Sequence, residues 1–170
     1  IRGDISGWCR AAGEYGPGIY TLSVPTGGGK TYSSLRFALA QAKKNEQRRI
    51  FYLIPMNTIL DQNSGDIREA LSDYPSILEH HSNIIPEDET EEKHYRRLTE
   101  RWESDIILTS LVQFLDTLFK NGNGKARRMY RLVNSVLIFD EIQALPKKCR
   151  ELFKRALQFL VQYCNCTVLL

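Results

Sequence analysis

Three consecutive glycines followed by a lysine and a hydroxyl residue lie between an apolar stretch and a helical pattern, in Val24-Pro25-Thr26-Gly27-Gly28-Gly29-Lys30-Thr31. Glycines let a backbone turn tightly and aim its N–H groups at phosphate oxygens with no side chain in the way. A helix starting at the lysine adds the positive end of its dipole. Lys30 has the reach for β- and γ-phosphates, and the Thr31 hydroxyl can enter the ligand shell of Mg2+. Pro25, Thr26, Gly27, Gly28, Gly29, Lys30 and Thr31 are therefore the candidate nucleotide-binding residues. The general phosphate-loop pattern carries a further glycine where this chain has Val24, which disfavours the GTPase and kinase versions. A glycine turn that merely joins a strand to a helix is the competing explanation, and Gly-Lys-Thr in this context speaks against it.

The second candidate is Val136-Leu137-Ile138-Phe139-Asp140-Glu141, where two carboxylates end an apolar run. In open parallel sheets, ligands bind at the carboxyl ends of the strands. Asp140 is suited to hold Mg2+ through its water shell, and Glu141 to orient and deprotonate an attacking water. Two acids after a strand are weak alone, since exposed turn carboxylates are common. Paired with the lysine loop they commit the chain to nucleotide binding. Thr31 and Asp140 are then the metal ligands, and Lys30, Asp140, Glu141 and the nearby Gln143 the catalytic group.

Hydropathy supplies the elements that must hold these residues. Gly18 to Val24 reads as a buried strand, and Tyr32 to Lys44 as a helix with Leu35, Ala38, Leu39 and Ala42 on one face. Ile50 to Ile54 is a second strand, with a helix following within Asn57 to Leu71. Ile77-Leu78 opens a short third strand, and Glu87 to Trp102 has helical composition. Ile106 to Leu108 is a fourth strand; Leu111, Leu115 and Leu118 mark the next helix, and Asn121-Gly122-Asn123-Gly124 a turn or loop. Val136 to Phe139, Lys147 to Gln162 and Thr167 to Leu170 follow as strand, helix and strand. Strands apolar on both faces, alternating with helices, predict an α/β layered fold with a mainly parallel sheet, as one domain over residues 1–170.

Composition agrees with such a domain. The chain is 42% hydrophobic and 25% charged, which excludes a disordered tail, a fibrous repeat and a disulfide scaffold. No apolar run approaches the ~18 residues of a membrane span, so no membrane partner is expected. A net charge of +3 does not by itself announce nucleic acid. Two basic clusters, Lys120, Lys125, Arg127, Arg128 and Arg131, then Lys147, Lys148, Arg150, Lys154 and Arg155, are candidate contacts or solvated surface. They face an acidic run of Glu87, Asp88, Glu89, Glu91 and Glu92. Cys9, Cys149, Cys164 and Cys166 lack zinc-ribbon spacing and read as buried free thiols, which fits a reducing cytoplasm. The chain starts at Ile1 without a methionine and stops in apolar Leu169-Leu170, as expected of one lobe of something longer.

Asp140-Glu141-Ile142-Gln143 resembles the four-residue box of superfamily 2 helicases, with Gln143 where many members carry histidine. Val24 before Pro-Thr-Gly also matches the helicase form of the phosphate loop. Ile54-Pro55-Met56-Asn57-Thr58-Ile59-Leu60-Asp61-Gln62 resembles the family's backbone-contacting second motif; Leu78-Glu79-His80-His81-Ser82-Asn83 and Ile107-Leu108-Thr109-Ser110 follow it. With Gly27-Gly28-Gly29 and Ile142-Gln143-Ala144-Leu145-Pro146, the combination resembles the CRISPR-associated helicase–nuclease of type I systems over nearly the whole chain. That resemblance implies the first RecA-like lobe, a P-loop three-layer sandwich, of an ATP-dependent DNA helicase. It implies ATP and Mg2+ as cofactors, and Gln143 as a relay of nucleotide state. Pro55, Thr58, Thr109 and the basic clusters become candidate contacts to single-stranded DNA. The other implied partners are a second RecA-like lobe carrying arginine fingers, a nuclease domain and the CRISPR effector complex. The family's Ser-Ala-Thr motif would follow Leu170, so low activity is expected of this lobe alone.

Alternatives stay open at this point: another superfamily 2 motor, such as an RNA helicase or a restriction-enzyme motor, or a nucleotide-gated binding module that never turns over. His80 and His81 alternate along a strand and point to opposite faces, which disfavours a shared metal and leaves packing or DNA contact for them and for His94. Trp102 and Tyr95 read as core or edge residues in preference to base-stacking platforms.

Overall fold

Every residue from Ile50 to Ile54 is at most 4% exposed, so this strand is buried on both faces and needs helices above and below it. The computed structural model supplies them; it describes residues 2–25, 28–55, 57–71, 74, 76–80, 88–120 and 122–170. In chain order the elements are α1 (Arg2–Ala12), β1 (Ile19–Tyr20), α2 (Lys30–Lys44), β2 (Arg49–Ile54), α3 (Asn57–Ala70), β3 (Ile77–His80) and α4 (Glu89–Arg101). Then come β4 (Ile106–Ser110), α5 (Leu111–Phe119), α6 (Asn123–Leu132), β5 (Ser135–Phe139), α7 (Arg150–Cys164) and β6 (Thr167–Leu169).

Among the described residues the six strands form one sheet in the order β1-β6-β5-β2-β4-β3, every pairing parallel. Side-chain alternation divides the core in two. Ile50, Tyr52, Ile54, Val136 and Ile138 pack with Leu35, Phe37 and Ala38 of α2, Cys9 of α1 and Ile67 of α3. Phe51, Leu53, Leu137 and Phe139 face Trp102, Phe114 of α5 and Phe153, Leu157 and Leu160 of α7. Phe139 meets Phe114 and Phe153 edge-on, with centroids 5.2 and 5.1 Å apart. The expected α/β three-layer sandwich on a parallel sheet, of RecA-like type, is the fold. None of its helices, among the described residues, is long and apolar enough to cross a membrane.

Several local expectations are corrected. The first strand is two residues, not seven, and Ile19 is 45% exposed, because β1 lies at the end of the sheet and pairs only with β6. Leu39 of α2 is exposed; the buried face instead holds Ser33, Ser34, Leu35, Phe37, Ala38 and Gln41. The sequence pattern does not announce α1, because Gly3 and Gly7 depress helix propensity; packing of Cys9 and a bond from Arg36 Nη1 to Ser6 Oγ, 2.8 Å, hold it on α2. The Asn121–Gly124 segment is not wholly a turn. α6 starts inside it, after Gly122 at φ 145, a conformation that favours glycine. Of the four cysteines, Cys149 is exposed and the other three are buried.

Candidate nucleotide-binding site

A parallel sheet sends the segments after its strands to one edge, so residues far apart in sequence emerge together. Asp140 follows β5, and its N–H extends the ladder by donating to Leu53 O at 2.9 Å. Lys30 opens α2. Their side chains meet, with Lys30 Nζ 2.9 Å from Asp140 Oδ1 and the Asp140 side chain only 9% exposed. The two motifs singled out in the sequence are thus one site.

The loop geometry explains its glycines and its odd valine. A Cβ on Gly28 would collide with the Val24 side chain and lie 2.8 Å from Pro25 O. The Gly28 N–H donates to that same oxygen at 2.9 Å. Gly29 sits at φ 78, in the left-handed region. Val24 therefore packs into its own loop, and Gly28 makes the room. Gly29 caps α2 without a side chain, so the first N–H groups of the helix point out of its end, the arrangement that receives anions. Thr26 and Gly27 lie outside the described residues. Thr31 is half-buried, and its carbonyl accepts from Ser34 Oγ at 2.9 Å.

Glu141 takes the left-handed conformation at φ 53, rare for a residue with a Cβ and a form of strain that gathers at functional sites. Its N–H donates to Asp140 Oδ1 at 3.0 Å. Gln143 Nε2, in the 3-10 turn Ile142–Ala144, donates to Glu141 Oε2. The Asp140 carboxylate and the Thr31 hydroxyl supply oxygen donors, beside helix-end amides of the kind that cradle phosphate. That set suits Mg2+, which uses few protein ligands and keeps waters and substrate oxygens for the rest.

One neighbour was not foreseen. Tyr52 of β2 is 1% exposed, and its hydroxyl donates to Asp140 Oδ2 at 3.2 Å. Burial, and then the Asp140 charge, push this phenol above its usual range. A tyrosine within an otherwise apolar buried strand was the available signal, since its hydroxyl must find a partner there.

The nucleic-acid candidates fare unevenly. Pro55, directly after β2, is half-buried at the same edge of the sheet. The Thr58 side chain, Met56, His81, Ser82 and Asn83 lie outside what is described. Thr109 is fully buried and donates its hydroxyl to His80 O at 2.8 Å, so that hydroxyl does not face solvent for a phosphate. His80 accepts from Trp102 Nε1 at 3.0 Å and is a packing residue, and Trp102 is 0% exposed in the core. Arg128, counted in the first basic cluster, is buried over the Trp102 ring. In the same cluster Lys120 pairs with Asp116 at 2.7 Å and Arg131 with Glu103 at 3.5 Å. The second cluster, Lys147 to Arg155, is exposed throughout its basic residues. Within the acidic run, Asp88 caps α4 by accepting from Thr90 and Glu91 N–H at 2.7 and 2.8 Å.

Residues 9–170 match the family described as type III restriction enzyme, res subunit. The chain is 27% identical over 166 residues to the CRISPR-associated nuclease/helicase Cas3 of Haloferax volcanii, covering 85% of this chain and 18% of that protein. A crystal structure of T. fusca Cas3-ATP matches with TM-score 0.75 at 20% identity, over 95% of this chain and 20% of that one. The Sulfolobus solfataricus SWI2/SNF2 ATPase core in complex with dsDNA matches with TM-score 0.62 at 17% identity, over 99% and 30%. This chain thus spans about a fifth of the Cas3 relatives it matches. With its RecA-like helicase fold and its homology to a lobe of Cas3, the chain belongs to the type III restriction enzyme res-subunit family.

Proposed function

We propose that this chain is the ATP-binding first lobe of an ATP-dependent superfamily 2 DNA helicase or translocase acting in type I CRISPR interference. The 2.9 Å meeting of Lys30 with Asp140 carries the reading, because it unites a phosphate loop and an acidic strand end in one site. Lys30 and the amides at the start of α2 bind the β- and γ-phosphates. Thr31 and Asp140 hold Mg2+, which when bound neutralises charge on the phosphates. Glu141 orients a water and takes its proton; Gln143, which donates to Glu141, passes the state of the nucleotide on to DNA. Pro55 and Thr58 are contacts for single-stranded DNA, with the exposed Lys147–Arg155 cluster as further phosphate ligands.

An arginine supplied by another lobe adds roughly 10³–10⁵-fold to turnover in such sites. The working protein is then longer and cytoplasmic, with a second RecA-like lobe, a nuclease domain and a CRISPR effector complex as partners. Alone, the 170-residue chain binds ATP weakly and hydrolyses it slowly. Titration with a fluorescent ATP analogue and single-turnover hydrolysis test this. Rapid DNA-stimulated turnover by this chain alone refutes the two-lobe requirement. Failure to bind nucleotide refutes the whole reading. Comparing Lys30→Ala with Glu141→Gln in the longer protein separates motor from binding module, since a motor loses turnover with either and a module keeps its function in Glu141→Gln.

The family description and the SWI2/SNF2 relative solved with duplex DNA favour a second reading, a duplex-tracking motor of restriction-enzyme type. Stimulation of ATP turnover by single-stranded DNA, duplex DNA and RNA, compared in the longer protein, decides between them.

A further inference from the structure

We infer that the groove between α1 and α2 is a binding site for a nucleic-acid backbone, separate from the nucleotide site and from the contacts proposed at Pro55 and Thr58. The choice of polymer rests on the reading of the chain as part of a nucleic-acid motor.

Two helices laid side by side leave a furrow, and here its walls are basic. Ser6 Oγ on α1 accepts from Arg36 Nη1 at 2.8 Å, and Gln41 Nε2 donates to Tyr15 O, just after α1, at 2.9 Å. The first helix and the turn that ends it therefore run along α2. A Cβ on Gly13 would collide with Ala40, so the glycine lets the chain close on α2 there. The groove measures about 550 Å³. Arg10 stands on one wall and Arg36, Lys43 and Lys44 on the other, beside Leu39 and Ala40. Glu14 is the one carboxylate among the described residues that line it.

All four cations are exposed, and among the described residues none of them makes an ion pair. The Ser6 hydroxyl holds the Arg36 guanidinium in place without neutralising it. Elsewhere the surface pairs its cations with acids: Arg96 with Glu92 at 2.6 Å, Lys120 with Asp116 at 2.7 Å, and Arg101 and Arg131 with Glu103. Four cations against one carboxylate in a groove concentrate positive potential and draw in an anion. Arg36 and Lys43 are seven residues apart on α2, about 10 Å along the helix. One strand of a duplex advances about 3.4 Å per phosphate, so that length holds about three phosphates. A free phosphate would engage one end only. A protein partner needs aromatic or aliphatic anchors, and Leu39 is the one large apolar side chain among the described lining residues. Phosphate contacts alone supply sequence-independent nucleic-acid affinity, and cations are what this groove offers.

The 170-residue chain is titrated into fluorescein-labelled DNA of about 20 nucleotides, single-stranded and duplex, from about 50 to 200 mM salt, with poly-glutamate as the acidic-polypeptide probe. Each phosphate contact contributes about 0.9 to the salt slope on a duplex and about 0.7 on a single strand. Arg36→Gln combined with Lys43→Gln therefore makes the slope shallower by about 1.8 or 1.4, and weakens binding at about 0.1 M salt roughly 25- to 60-fold. The strand form that shows this change is the ligand. No DNA binding by the native chain at about 50 mM salt overturns the inference, and this arm needs no variant to fold. An unchanged slope in the double variant, whose replaced side chains are exposed, overturns it too. If Lys154→Gln with Arg155→Gln changes the slope instead, the polymer lies on α7 and the groove is not its site. If poly-glutamate binds as tightly as DNA and is released in the Arg36 and Lys43 variant, the occupant is an acidic polypeptide and the inference falls. The motor reading fails separately: a chain that binds no nucleotide refutes it whatever DNA does, and the double variant is expected to keep native nucleotide affinity.

Discussion

Lys30 and Arg128 are two cations that the fold holds in place, one at the carboxyl edge of the sheet and one beneath the α4–α7 layer. Lys30 meets Asp140 and keeps a third of its side chain exposed. Arg128 has little left to offer a ligand: Nε donates to Thr99 O at 2.8 Å, Nη1 to Gln113 Oε1 at 3.4 Å, and the guanidinium lies 5.3 Å from the Trp102 centroid. Trp102 in turn gives its N–H to His80. In the Arg128 corner these polar groups are turned on one another, while in the Lys30 corner helix-end amides and a carboxylate converge on shared space. A basic residue serves ligand or scaffold according to what its donors already hold, and a count of charges along the sequence does not distinguish the two.

The largest effect that tests this contrast falls on the scaffold. Trp102 is fully buried against Phe51, with ring centroids 5.2 Å apart. Trp102→Ala removes that volume, leaves His80 Nδ1 without its donor and strips the floor from Arg128, for a loss of about 3–5 kcal/mol. Thermal melting is expected to drop by about 10 °C. Nucleotide affinity measured well below the melt should stay within about twofold of the parent. A collapse of affinity in the folded variant would show that the two corners are not independent.

Lys30→Ala is the reverse experiment. It removes a charge from the proposed phosphate site, and charge-assisted bonds of about 1.5–3 kcal/mol put the expected loss of ATP affinity near 100-fold. Stability in urea should change little, because the ion pair is partly exposed. A large fall in stability without a fall in affinity would reassign Lys30 to the scaffold.

Arg128→Met comes next. It keeps the stem that packs on Trp102 but leaves Thr99 O, near the end of α4, without its buried donor, at about 1–3 kcal/mol. If the first basic cluster were a DNA contact through Arg128, DNA binding would weaken instead and stability would hold.

What the sequence could disclose follows the same division. Lys30, Asp140 and Glu141 carry their chemistry in short contiguous motifs, and strand–helix alternation implies the parallel sheet that brings those motifs to one edge. Tyr52 was hidden because its partner lies on another strand and no local spacing links the two. α6 was hidden because Arg128 occupies its buried face, where a hydropathy pattern expects an apolar residue, and because Asn-Gly repeats imitate a turn. Thr109 looked available because burial depends on β3, whose contribution, His80 O, comes from a separate segment. Local chemistry was legible, and partnerships across strands were not.

The smallest expected effect is a pH dependence in the scaffold corner. Cys166 is fully buried beside Ser135, with its Sγ donating to Leu132 O at 2.9 Å. Burial pushes this thiol up to about 11 from its ordinary 9.0. Because the folded value is the higher one, the unfolded chain sheds the proton first as pH rises. The contribution of this thiol is fully present below about pH 9 and fades between 9.0 and about 11. Burial raises Cys9 and Cys164 in the same direction, so the parent should lose stability across that window, and Cys166→Ala should lose it with a shallower slope. Urea midpoints from pH 8 to 11 in the two proteins provide the measurement, and the difference between slopes cancels the titration of groups they share. Equal slopes would mean that Cys166 meets hydroxide in the native state and that the core around Trp102 is open, against the closed packing that separates this corner from the phosphate site.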